Sequence, residues 1–232
     1  MSSFKRIVPG FSVQAYQNNS VTSGPPKMKK KKKLLGTIKN PFSMLYGVPG
    51  FPFSTGNAGC VRWFIPLSSI DYNVYLPLLF HGIRESTYPY DNCAALALRD
   101  ILDEPNCGSH VLEALPKIIL PIRKALDTER WIVIIRTFMA LQKIVTCDSR
   151  IGEALIPFFR YILPPFNRYL FINVEVLDDL NRKNVIVNVM DICRKTLNLL
   201  EIKGGLFAYT NIKNIIPTYE KTITLSKSCQ AQ

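Results

Sequence analysis

Leu76-Pro77-Leu78-Leu79-Phe80, Leu115-Pro116-Lys117-Ile118-Ile119 and Ile156-Pro157-Phe158-Phe159-Arg160 share one pattern: an aliphatic residue, a proline, any residue, then bulky side chains. Their prolines are 39 and 41 residues apart, a period in the range of helical repeats. A weaker echo, Ile216-Pro217-Thr218-Tyr219, comes 60 residues after the third and requires an insertion, for which 171–184 is the candidate. One helix pair cannot bury its own apolar face, so repeats of this size stack and cover one another. The fold expected is all-α: a short HEAT- or armadillo-like α-solenoid of about three to four helix pairs.

The spacing between the motifs supports helices. Val74 to Glu85 carries apolar residues at 75, 76, 78, 79 and 83. Asp91 is the expected N-cap of a helix over 92–103, and Thr128 of one reaching about Thr146 with Ile132, Ile135, Phe138, Met139 and Leu141 on one face. Pro116 and Pro121 each remove a backbone donor from 112–126, so a helix start or kink is expected there. The last long helix should span 186–202 and stop at Gly204-Gly205.

Upstream the pattern changes. Residues 1–60 hold nine Lys or Arg and no acid; Arg62 adds another before the first acid, Asp71. Of the net +12, residues 71–232 supply only +2, with 19 basic and 17 acidic side chains. The expected organisation is an extended basic arm over 1–60 and a helical-repeat domain over 61–232, the arm being extended or disordered when alone. Between Asn40 and Phe53, apolar and aromatic residues alternate with Pro and Gly, as suits an irregular strap lying along a surface. The run Lys27, Lys29, Lys30, Lys31, Lys32, Lys33 has three readings: a solvated tail, a nuclear-import or nucleic-acid segment, or a contact with a polyanionic protein.

Composition and spacing also bear on chemistry. With 47% hydrophobic residues the chain can form a real core. Cys60, Cys93, Cys107, Cys147, Cys193 and Cys229 are spread evenly, with no C-x-x-C pair and no secretory pattern, so reduced thiols are expected. His81 and His110 lie in no zinc-type cluster and accompany no nucleophile elbow or phosphate loop. No metal, no cofactor and no catalytic residue are therefore expected, and no apolar run reaches the ~18 residues of a spanning helix, so a soluble protein is expected.

Residues 75–85 with Thr87-Tyr88-Pro89-Tyr90, together with 115–126, 151–163 and Gly204-Gly205 followed by 211–220, resemble the parkin co-regulated protein family over about 61–223. The resemblance implies a non-enzymatic structural protein of cilia and flagella, in the cytoskeleton of the axoneme. It would lie inside doublet microtubules at the inner junction of the A and B tubules. Implied partners are α-tubulin and β-tubulin, the small β-rich cilia- and flagella-associated protein twenty, and other microtubule inner proteins; neither nucleic acid nor membrane is implied. With that resemblance the polyanion becomes the microtubule. The expected tubulin-binding residues are Lys27, Lys29, Lys30, Lys31, Lys32, Lys33 and Lys39 by charge, and Phe42, Phe51 and Phe53 by apolar burial. The competing function is a nucleic-acid or nuclear helical-repeat protein using the lysine run, which would ordinarily carry basic side chains along several repeats.

Overall fold

The computed structural model describes residues 5–9, 12–17, 19–23, 40–56, 60–85, 87–178, 180 and 185–221. The chain divides into two units, Met1–Ile38 and Lys39–Gln232. In the first, β1 (Arg6–Pro9) pairs in parallel with β2 (Ser20–Ser23), Arg6 facing Ser20, around a 3-10 turn at Val13–Tyr16. The division falls after residue 38, so residues 40–56, assigned to the arm by composition, fall in the unit that holds the helices.

The second unit is mainly helical. It opens with α1 (Pro41–Leu45) and an antiparallel ribbon of β3 (Phe53–Thr55) and β4 (Val61–Trp63). There follow α2 (Tyr72–Ile83), α3 (Tyr90–Asp103), α4 (Cys107–Leu126) and α5 (Trp131–Cys147). The third set is α6 (Ser149–Leu155), a 3-10 turn at Ile156–Phe158, α7 (Phe159–Ile162) and α8 (Phe166–Tyr169). A hairpin of β5 (Glu175–Asp178) and β6 (Val185–Asn188) precedes α9 (Val189–Lys203) and α10 (Ala208–Ile215).

Local chemistry explains the boundaries. Asp71 caps α2 by accepting from the Asn73 amide at 2.9 Å. Pro89 occupies the N-cap position of α3, which places Asp91 in the first turn and frees its carboxylate for an ion pair. α4 runs unbroken for 20 residues through both prolines, and exposed Pro116 leaves an acceptor on the solvent side where water can satisfy it. Thr128 does not cap α5: its hydroxyl donates back to Ala125 O at 2.7 Å, and Arg130 stands at the cap. Residues 186–188 are strand, and Asn188 caps α9 through the amides of Met190 and Asp191. Gly205 ends α9 with φ +72°, in the left-handed region that favours glycine.

The helices pack in two rows. In one, α2 touches α4, α4 touches α6 and α7, and α7 touches α10; in the other, α3 touches α5 and α5 touches α9. Rungs α2–α3, α4–α5, α6–α9 and α9–α10 join the rows. Pro77, Pro116 and Pro157 lie in the first row, and Pro217 follows its last helix. Polar bonds between successive rungs link residues about one period apart. Asn73 donates to Glu113 at 3.2 Å, Arg123 to Tyr161 O at 2.8 Å, and Arg168 pairs with Asp127 at 2.7 Å. A continuous core that includes Leu79, Phe80, Ile118, Phe138, Phe159 and Leu197 runs between the rows.

Candidate functional site

Asn40 begins the segment that distinguishes one end of the helix stack. Its side chain accepts from the Phe42 amide at 3.2 Å, capping α1, and donates to His81 O at 2.6 Å, tying that cap to the end of α2. Phe42 is fully buried, and its ring lies over Gly82, where an added Cβ would stand 2.7 Å from Cγ of the ring and 2.5 Å from Ala94 Cβ. Glycine at 82 therefore lets α1, α2 and α3 meet. Gly47 and Gly50, with φ +87° and +92°, turn the chain so that Phe51 and Phe53 follow Phe42 into an aromatic cluster with Tyr46, Trp63 and Tyr75. Thr55 donates its amide to the Tyr46 hydroxyl at 2.8 Å, and Trp63 Nε1 donates to Asp100 on α3 at 3.2 Å.

The strap thus has an inner and an outer face. Phe42 and Phe53 are core residues and Phe51 is half-buried, so the expectation that all three rings meet a partner is corrected for Phe42 and Phe53. The outer face presents Met44, Leu45, Val48, Phe64 and Ile65, all exposed, with Phe64 at 60%. Val48, Phe64 and Ile65 line a shallow pocket of about 450 Å³ floored by Phe51 and Phe53. Residues 40–70 contain no acid, and Arg62 is their one charged side chain. The face is therefore apolar, with no negative charge along its segment. Sequence reasoning marked the strap and missed these five residues; alternation of aromatics with Pro and Gly does not reveal which face a side chain takes. Lys27, Lys29, Lys30, Lys31, Lys32, Lys33 and Lys39 lie outside the described residues.

Other ionisable groups are built into the packing. Arg136 is buried between Asp91 at 3.5 Å and Asp178 at 3.4 Å, joining α3, α5 and the β5–β6 hairpin. A pocket of about 180 Å³ beside it has walls that include Leu98, Met139, Leu180 and Val185, and Arg136 there already faces two carboxylates. Burial pushes the His81 imidazole below its usual pKa, and the nearby Arg84 and Lys124 add to that shift. His110 stacks on Tyr72 with ring centroids 5.2 Å apart. Burial raises the Cys93 thiol and carries Cys193 up to about 12, away from the thiolate that nucleophilic chemistry needs. Among the described residues, no group of three His, Cys, Asp or Glu side chains could hold a metal ion, and no helix is long and apolar enough to cross a membrane.

The match to a family model begins where the helical unit does. The family model described as Parkin co-regulated protein matches residues 40–221, from the Asn40 cap to the last described residue. The chain is also 34% identical over 229 residues to the Parkin coregulated gene protein homolog of Mus musculus, covering 94% of this chain and 90% of that protein. With its strap, its helix rows and its terminal Gly-Gly segment all inside the match, the chain belongs to the parkin co-regulated protein family.

Proposed function

We propose that the chain is a non-enzymatic structural protein of ciliary and flagellar doublet microtubules, a short HEAT- or armadillo-like α-solenoid that binds α- and β-tubulin at the inner junction. Cilia- and flagella-associated protein twenty and other microtubule inner proteins are its neighbours there. The observation that carries this reading is the acid-free outer face of the strap, apolar across Met44, Leu45, Val48, Phe64 and Ile65. Six residues separate the lysine run from Asn40, so charge attraction and apolar burial are supplied by neighbouring segments of one chain. Family membership supports the same reading, as does the two-row helix stack with polar bonds one period apart. In the contact, Lys27, Lys29 to Lys33, Lys39 and Phe51 act with the outer-face residues, while Phe42 and Phe53 hold that face in place from within.

Co-sedimentation of the full chain with purified microtubules tests this directly. Saturable binding is expected that weakens with salt and keeps a salt-resistant remainder, since ionic contacts are screened and apolar burial is not. Absence of binding at low salt, or tighter binding to duplex nucleic acid than to microtubules, would overturn the proposal. In a ciliated cell a tagged copy should label the axoneme along its length and leave the nucleus unlabelled.

A further inference from the structure

Cys107 is the first residue of α4 and Cys147 the last of α5, so the two thiols stand at adjoining ends of one helix pair. Both sulfurs rest against a single acceptor, the Leu102 carbonyl near the end of α3, at 3.6 Å from Cys107 and 3.4 Å from Cys147. The two thiols are close enough to act on each other, the Cys107 thiol being among the groups that raise Cys147. Their backbones are equally close: a Cβ added at Gly108 would meet Cys147 O at 3.0 Å and Asp148 Cβ at 2.6 Å. Cys93 and Cys193 differ, since each has an oxygen partner in place of a thiol, the Tyr46 hydroxyl and Phe166 O respectively. Cys107 is buried, whereas half-buried Cys147 offers a route for a small reagent.

We propose that Cys107 and Cys147 form a dithiol–disulfide couple which, oxidised by a small disulfide such as glutathione disulfide, locks the ends of the α4–α5 pair together. The Cys147 thiolate attacks one sulfur of the reagent, breaking its S–S bond and releasing one glutathione thiolate, which takes up a proton. Cys107, giving its proton to solvent, then attacks the Cys147 sulfur of the mixed disulfide and expels the second glutathione. Two protein thiols lose two electrons and two protons, and one glutathione disulfide becomes two thiols. The groups facing the pair are Tyr72, whose hydroxyl donates to Ile101 O, the rim pair Lys143–Asp103, and Asp148, which caps α6. Burial, followed by the neighbouring thiol, holds Cys147 up at about 12, so its thiolate is scarce at neutral pH. The couple is therefore slow, a lock set by sustained oxidation, and its rate follows the thiolate fraction.

The test treats the folded full chain with excess glutathione disulfide at pH 8 and pH 9, followed by intact mass and non-reducing peptide mapping. A Cys107–Cys147 linked peptide is expected, formed about tenfold faster at the higher pH and reversed by reductant. Because the link closes a loop spanning both helices, the melting temperature should rise by about 5 °C or more. Cys107→Ala should leave glutathione bound at Cys147. Accumulation of that mixed disulfide in the unsubstituted protein, or cross-linking only through the exposed Cys60, would overturn the proposal. If Cys107→Ala fails to fold, the peptide map of the unsubstituted chain still decides.

Discussion

Replacing Gly82 by alanine probes the seat on which the strap depends. The new methyl would lie 2.5 Å from Ala94 Cβ and 2.7 and 2.9 Å from two carbons of the Phe42 ring, so α1, α3 or both must move. Overpacking of this kind costs about 1–3 kcal/mol. Alanine is favoured over glycine inside a helix by up to about 1 kcal/mol, but Gly82 is the penultimate residue of α2, where that gain is smaller. The clash wins, and a net loss of about 1–2 kcal/mol is expected, or about 2–8 °C in melting temperature for a domain of this size. The partner substitution isolates the cause. Phe42→Ala should itself cost about 3–5 kcal/mol, yet adding Gly82→Ala to it should cost about 1 kcal/mol less than in the unsubstituted chain. Urea unfolding of the four proteins measures this coupling. A neutral or stabilising Gly82→Ala, or strict additivity with Phe42→Ala, would refute the docking of α1 on α2.

Other consequences can be measured on the same protein. Val48→Ser with Phe64→Ser should leave folding within about 1 kcal/mol while weakening microtubule binding about tenfold at high salt as well as low, because both side chains are exposed and their burial is not screened. Lysine-to-glutamine changes at Lys27 and Lys29 to Lys33 should flatten the salt dependence of binding and leave thermal stability within about half a kcal/mol. His81 has a depressed folded-state pKa, so the unfolded chain binds its proton more readily; stability from this group is full above about pH 6.5 and declines as pH falls below it. A His81→Gln variant should show a shallower decline in unfolding free energy between pH 7 and pH 5. Arg136→Met should cost about 3–5 kcal/mol by leaving Asp178 buried beside an apolar side chain, and adding Asp178→Asn should recover part of that loss in urea unfolding.

The helix rows were legible because the proline motifs recur at one period, and the same period governs which side chains meet. Asn73 reaches Glu113 and Arg168 reaches Asp127 across rungs, pairs separated by about the distance between the prolines. Boundaries were harder where a local signal had a stronger tertiary rival. Val185-Ile186-Val187 continues the apolar pattern of α9, yet its β-branched residues pair across to 176–178 as strand, and the helix waits for the Asn188 cap. Arg136 reads as an interruption in an apolar helix, since nothing local shows that Asp91 and Asp178 close around it. The orientation of Phe42 and Phe53 was equally hidden, because the seat that draws Phe42 inward is a glycine on another element.

A stack of helix pairs needs a covered end, and end caps ordinarily present a polar outer face to water. At the far end, Tyr219 buries its ring and directs its hydroxyl to Asn198 and Glu201, while Ile202, Leu206 and Phe207 stay exposed. The strap does the first half of this work at the near end, sealing α2 and α3 with Phe42 and Phe53. Its outer side departs from the rule by exposing five large apolar residues where Ser, Asn or charged residues would serve a free end equally well. Stability gives no reason for the part of each side chain left in water, such as the exposed 60% of Phe64. The partner contact proposed above would give one, since a surface that removes Phe64 and Val48 from water must also accommodate Arg62 in the same acid-free segment. The cap and the contact are then one structure, and loss of the Gly82 seat should weaken binding even where every outer-face residue is intact.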